Sequence, residues 1–343
     1  TTASASIAAS FAGLAAVSVS FGGAVSRNVM NNTVEAYLAD YESVTVAEDG
    51  VVNVKATENA LAETTAWAAS AAVAIAGKFS LALSGAGAEA NNVVDNVVQA
   101  YIDNVTMTTS RSSSASSTEG DVNVLAVNNL GLRAESGAIA AAVNGALAGG
   151  SGAIGASIAR NYVGRGFNVD LITNDERDRI DGDSSLGGDD SGGIDNEEEI
   201  QAVLDIAEVD GHHNTAQAYI RNSDLTVGGD LTVQADLAQV AQTKAYAGSL
   251  AVAISIGGAV AAAGSESTTK FSSKSEALVI NSTLDVAGDV TVLSTSDSLI
   301  DGADAVGASL GGGLVGISVG VAYIVVDITN DVDAGIRNEA VNN

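Results

Sequence analysis

The densest concentration of reactive side chains lies between Asp170 and Asp210, where 15 acidic residues stand against two basic ones, Arg177 and Arg179. Carboxylates and loop carbonyls are the oxygen ligands that calcium takes. Asp181, Asp183, Asp189, Asp190 and Asp195 are therefore the candidate calcium ligands. Their spacing is not that of an EF-hand, because taking Gly182 as the turn glycine would put Arg177 at the first ligand position. Gly192-Gly193-Ile194-Asp195 only grazes the calcium β-roll nonapeptide. A solvated acidic loop is the simpler expectation for Asp181 to Gly193, which holds few apolar residues. Beyond it, Ile200, Val203, Leu204 and Ala207 fall at helical spacing. Glu197, Glu198 and Glu199 stand near the start of that helix, where its dipole favours negative charge.

The other candidates are sparser. His212 and His213 are the only histidines, and neighbours on a strand point to opposite faces, so they do not readily chelate one ion. Tyr37, Tyr101 and Tyr219 recur at equivalent places, with Trp67 the one tryptophan. They predict either a tyrosine column or a platform on which a sugar could stack. Catalysis is not expected. Polysaccharide lyases and hydrolases on parallel β-helices pair carboxylates with Lys or Arg, whereas basic partners are scarce here and no nucleophile–base pair is evident.

What would position these residues is a repeat. One short run appears as Val34-Glu35-Ala36-Tyr37-Leu38, Val98-Gln99-Ala100-Tyr101-Ile102, Ala216-Gln217-Ala218-Tyr219-Ile220, Ser275-Glu276-Ala277-Leu278-Val279 and Val332-Asp333-Ala334-Gly335-Ile336. Its starts are 64, 118, 59 and 57 residues apart, a repeat of about 60 with one copy inflated by the acidic insertion. A second run follows as Gly50 to Val54, Gly120 to Val124, Gly229 to Val233 and Gly288 to Val292. Apolar residues alternate in both, the period of a half-buried strand, and Gly-Asp pairs supply corners. An Ala/Gly-rich stretch precedes each pair of runs. Trp67, Ala69, Ala71, Val73 and Ile75 stand on alternate positions there, as do Leu250, Val252, Ile254 and Ile256, so these stretches also read as strands. The expected units are residues 1–57, 58–127, 128–236, 237–297 and 298–343, with 170–210 inserted in the third.

Composition agrees with stacked thin layers: there is no Pro and no Cys, 38 residues are Gly, and only 4% are aromatic. Without Pro, no ladder loses a backbone donor. The net charge of −28 argues against nucleic acid as a partner, since phosphate binding needs clusters of Lys and Arg. It opposes an anionic membrane as well, and it keeps a sheet protein soluble. Ala138 to Ala159 and Ala247 to Gly264 are long enough to span a bilayer as helices. Ala and Gly dominate them, Lys or Arg rarely flanks such stretches, and a sheet buried on both faces gives the same apolar run, so membrane insertion is not expected. Residue 1 is not Met, which fits a processed chain or an excerpt of a longer one.

The segment Gly22-Gly23-Ala24-Val25-Ser26-Arg27-Asn28-Val29-Met30-Asn31-Asn32-Thr33-Val34-Glu35-Ala36-Tyr37-Leu38, with its looser copy from Gly87 to Ile102, resembles repeats of very large bacterial surface proteins. These are the filamentous leukotoxin-type adhesins and related autotransporter-like proteins. The fourth unit departs, with Ser265-Glu266-Ser267-Thr268-Thr269-Lys270 in place of Ser-Arg-Asn-Val. The resemblance implies an extracellular β-solenoid used for adhesion or as a filament, with no catalytic residues. The sequence thus predicts an all-β chain, a parallel β-solenoid carrying one acidic loop-plus-helix insertion. Its expected role is a secreted or cell-surface structural protein that associates end to end, as a homopolymer or within a longer chain. An adhesin stalk binding a glycan or host surface is the alternative, and a polysaccharide-acting enzyme is the least favoured reading.

Overall fold

The computed structural model describes residues 1–47, 50–111, 119–164 and 213–338. Among these, 86% lie in strands and none in a helix. The expected helix around Ile200 and the whole 170–210 insertion lie outside the described residues, as do the five candidate calcium ligands and His212.

The strands fall into successive rungs. The first contains β1 (Thr2–Ala12), β2 (Ala15–Met30) and β3 (Thr33–Thr45). The second contains β4 (Val52–Ala76), β5 (Phe79–Val94) and β6 (Val97–Thr108). The third adds β7 (Val122–Gly145), β8 (Ala148–Val163), β9 (Asn214–Arg221) and the short β10 (Asp224–Val227). The fourth has β11 (Leu231–Ile254), β12 (Gly258–Ile280) and the short β13 (Thr283–Val286), and the fifth has β14 (Val290–Gly312) and β15 (Val315–Arg337). In every rung a long strand runs outward in one layer, turns at a tight tip such as Gly77-Lys78, and returns in a second layer. The first layer has the strand order β1-β4-β7-β11-β14. All pairings between rungs are parallel, an arrangement consistent with a β-solenoid. β4 alone has 25 residues and so extends about 80 Å at ~3.3 Å per residue, whereas each rung adds only ~4.8 Å to the stack.

Residues aligned by the sequence repeat are register partners. Tyr37 pairs with Tyr101 and Tyr101 with Tyr219. Val52, Val122, Leu231 and Val290 form another column. The insertion fits the same scheme. Val163 pairs with Phe271 and Asn214 with Ser273, so residues 164–213 stand where the fourth rung has only Ser272.

The interior changes character along each rung. At the base, Val98, Ile102, Met107, Val122, Ile220 and Leu231 form an aliphatic core, where burying each large side chain contributes about 1.5–3 kcal/mol. Toward the tip the core is almost entirely Ala, including Ala72, Ala82, Ala140, Ala153, Ala251 and Ala261. Side chains this small let the layers approach closely. A Cβ on Gly155 would lie 2.5 Å from the carbonyl oxygen of Gly248, and one on Gly320 would lie 2.5 Å from that of Gly307. Cross-layer hydroxyl pairs, Ser6–Ser20 at 2.8 Å, Ser70–Ser84 at 2.6 Å and Ser136–Ser157 at 2.6 Å, bridge the layers, whereas the buried hydroxyls of Ser18, Ser80, Ser151, Ser249 and Ser265 have no hydrogen-bond partner in the protein.

The base is closed by two corners. Asp40, Asn104, Asn222 and Asn281 all have positive φ, between 50° and 60°. They succeed one another at the repeat offsets, and Asn and Asp tolerate this left-handed conformation better than other side chains. At the second corner Asp121 Oδ1 accepts from the Asp230 amide at 2.8 Å, and Asp230 Oδ1 from the Asp289 amide at 2.9 Å. The aspartates of the Gly-Asp corners thus act as turn braces.

Candidate functional site

Alternation along β3, β6 and β9 turns Ala36, Ala100 and Ala218 inward and the tyrosines outward. Tyr37 is 61% exposed, so the column lies on the surface and not in the core. Trp67 also faces outward. Because the strands are parallel and in register, the rings stack: Tyr37 and Tyr101 have centroids 5.2 Å apart, and Tyr101 and Tyr219 4.8 Å apart, with planes within 10° and 2°. The faces of the middle ring are consumed by its neighbours. A sugar stacked on this ladder would have to use an end ring.

The far end of the ladder is the chemically richest place on the described surface. Leu278 replaces tyrosine in the fourth rung, leaving a shallow cleft beside Tyr219 lined by Gln99, Gln217, Arg221, Glu276, Leu278 and Ile280. Arg221 lies 5.5 Å from the Tyr219 ring centroid and forms a two-pronged ion pair with Asp103 at 3.2 and 2.5 Å. That hydrogen bond holds the Arg221 pKa above its ordinary value. Burial raises the Tyr219 pKa, with Arg221 opposing it, so the phenol stays neutral and remains a hydrogen-bond donor. Along the cleft's other side runs an amide row: Gln99 donates to Gln217 at 2.5 Å, and Gln217 donates to Glu276 at 2.7 Å. Lys274 pairs with Glu276 at 2.8 Å. Such a surface offers donors, acceptors and one ring edge, which is recognition chemistry. It has no nucleophile beside a base.

A second constellation is internal. Where each second-layer strand bends, Asn32 donates to Glu58 at 2.7 Å, Asn128 to Asn214 at 2.9 Å, and Gln239 to Ser273 and Ser298 at 2.6 Å each. This polar column links the layers between the aliphatic base and the alanine tip. Glu58 is its one carboxylate, 7% exposed, and its second oxygen has no hydrogen-bond partner in the protein. Burial raises its pKa, partly offset by the Asn32 hydrogen bond. This column was not expected from the sequence, although Asn32 and Asn96 recur at the repeat offset of 64.

Comparison with protein-family models, curated proteins and solved structures finds no match. What the site can do rests on its own geometry. Among the described residues no group of three or more His, Cys, Asp or Glu is placed to hold a metal ion. His213, the described histidine, has Nδ1 2.5 Å from Ser272 Oγ, at the point where the insertion leaves and rejoins its rung. No described helix is long and apolar enough to cross a membrane, a statement about helices only.

Proposed function

We propose that this chain is a stiff parallel β-solenoid that serves as an extracellular structural element, joined end to end into a surface filament or matrix fibre. The carrying observation is the long parallel register of each rung with the next, from Ala3–Trp67 at one end to Ala277–Ala334 at the other, shifted only between Tyr41 and Val44 and between Ala241 and Thr243. Backbone ladders of this kind resist bending and need no ligand. β1 and β2 at one end, and β14 and β15 at the other, each have one neighbour among the described strands. Their free N–H and C=O groups template the next rung, whether it belongs to another copy or to more of the same chain. The surface charge keeps such a sheet protein dispersed, and calcium held by Asp181, Asp183, Asp189, Asp190 and Asp195 would moderate that repulsion. Electron microscopy of the purified chain at rising concentration tests this reading. It predicts unbranched filaments that thicken or associate when calcium is added; only discrete single particles at every concentration would refute it.

A glycan-binding stalk is the second reading, supported by the cleft beside Tyr219. It predicts that Arg221→Ala abolishes retention on an immobilised glycan or cell surface while leaving filament length unchanged.

A further inference from the structure

Polarity is divided along the rungs, and the division is sharper than the solenoid requires. The five tip segments, residues 1–26, 66–88, 136–159, 245–265 and 305–326, contain one charged residue, Lys78. The rest of the chain holds all 42 acidic residues against the other basic ones, a net charge of −29. On the outer face of the first layer this tip half presents Ile7 (83% exposed), Phe11, Ile139 (57%), Leu250, Ile254 (71%) and Leu310. Small neighbours flatten it. Ile139 stands between Ala69 and Gly248, and the ring of Trp67 lies over Gly137. The result is a smooth apolar rectangle about 24 Å by 33 Å, or ~800 Å². Isolated surface patches of monomers run to roughly 300–600 Å², and a stable interface takes ~800 Å² from each partner.

We propose that this face packs against the same face of a second copy of the chain, the two related by a two-fold axis along the stacking direction. The area matches one standard interface, and the contact closes on itself as an isologous pair. Charge fixes the orientation. Side-by-side copies with bases aligned would bring their acidic halves together, whereas opposed bases overlap only the uncharged tips. The same overlap carries Lys78 past the apolar middle to the end of the other copy's face, where Glu63, Glu135 and Asp304 stand among Arg133 and Lys244. A lipid surface fits less well. The end strands would leave unpaired N–H and C=O groups in hydrocarbon, and Lys78 would sit at the deepest point. The first layer is favoured over the second because no insertion interrupts its strands, whereas residues 165–212 fall in sequence between the second-layer strands β8 and β9.

Sedimentation velocity over a concentration series, with dye-labelled vesicles of phosphatidylcholine as a parallel arm, tests the pairing. The wild type is expected to form pairs whose dissociation constant changes little between 50 and about 500 mM salt, since the contact is uncharged. Ile139→Glu with Leu250→Glu should weaken pairing by about 100-fold or more, each buried unpaired charge being costly. Ile154→Glu with Val260→Glu, on the other layer's outer face, should leave it unchanged, and circular dichroism should show all three proteins fully β. Equal loss in both variants, a wild type that stays single, or vesicle binding abolished by the first variant without any pairing would each overturn the proposal. This pairing does not depend on end-to-end growth: in micrographs the first variant should halve filament width and preserve length, so failure of one idea is separable from failure of the other.

Discussion

Glu58 shows how one residue sets a pH response in a protein without a catalytic centre. Its folded pKa is raised by burial, so the folded state binds the proton more tightly than the unfolded chain does. Its contribution is therefore most favourable below the unfolded carboxylate value and declines as pH rises through the raised folded value. Glu58→Gln should raise stability at pH 7 and change little at pH 3, as read from urea midpoints at both pH values. Glu266 behaves oppositely. Burial pushes its pKa up, but the two-pronged contact from Arg160, at 2.9 and 3.2 Å, outweighs this and leaves it lowered. That stabilisation is present above the unfolded value and is lost as pH falls through the folded one. Arg160→Ala should cost about 1.5–3 kcal/mol at pH 7, with the difference shrinking in acid. Much at this scale was legible in the sequence, since the tyrosine column follows from the recurrence of Tyr37, Tyr101 and Tyr219 alone. Its outward direction was not, because Tyr next to Ala reads equally well with either face buried. The bracing role of Asp121 and Asp230 was legible for a clearer reason, the Gly-Asp pair that opens three of the four second runs.

Among the elements, the alanine strands carry the most unusual constraint. Their alternation was readable as period two, and the stretches around Val73 and Leu250 are indeed strands. Which alternate set faces inward was harder to read. Burying the larger residues is the usual economy, yet Ala66, Ala68 and Ala72 are inside while Trp67 and Ile75 are outside. The reason lies in thickness: layers that meet backbone to backbone at Gly155 and Gly320 leave no room for a larger side chain. Gly155→Ala should accordingly destabilise the fold by about 1–3 kcal/mol, and Ala140→Leu by at least as much, in chemical denaturation. Val124→Ala at the base should cost about 1–3 kcal/mol for the opposite reason, a cavity. The helix expected near Ile200 falls outside the described residues and stands as an expectation from sequence.

Across the whole molecule, successive units pair in parallel and, apart from two local shifts, in one register, and the column of like residues so created is both scaffold and surface. The proposed filament growth rests on it. A proline at Val319 in β15, which pairs on one side only among the described strands, should shorten filaments, since its ring hinders the addition of a further rung. The register itself can be read chemically because the chain has no cysteine. Asn59 and Asn129 are exposed register partners, joined side chain to side chain at 2.8 Å although 70 residues apart. Oxidising the double variant Asn59→Cys, Asn129→Cys under dilute conditions is the most direct measurement. An intramolecular disulfide forming rapidly in this pair, and slowly or not at all in Thr57→Cys, Asn129→Cys, is the predicted result. Equal cross-linking of the two pairs, or none within a single chain, would contradict the stacked-rung account.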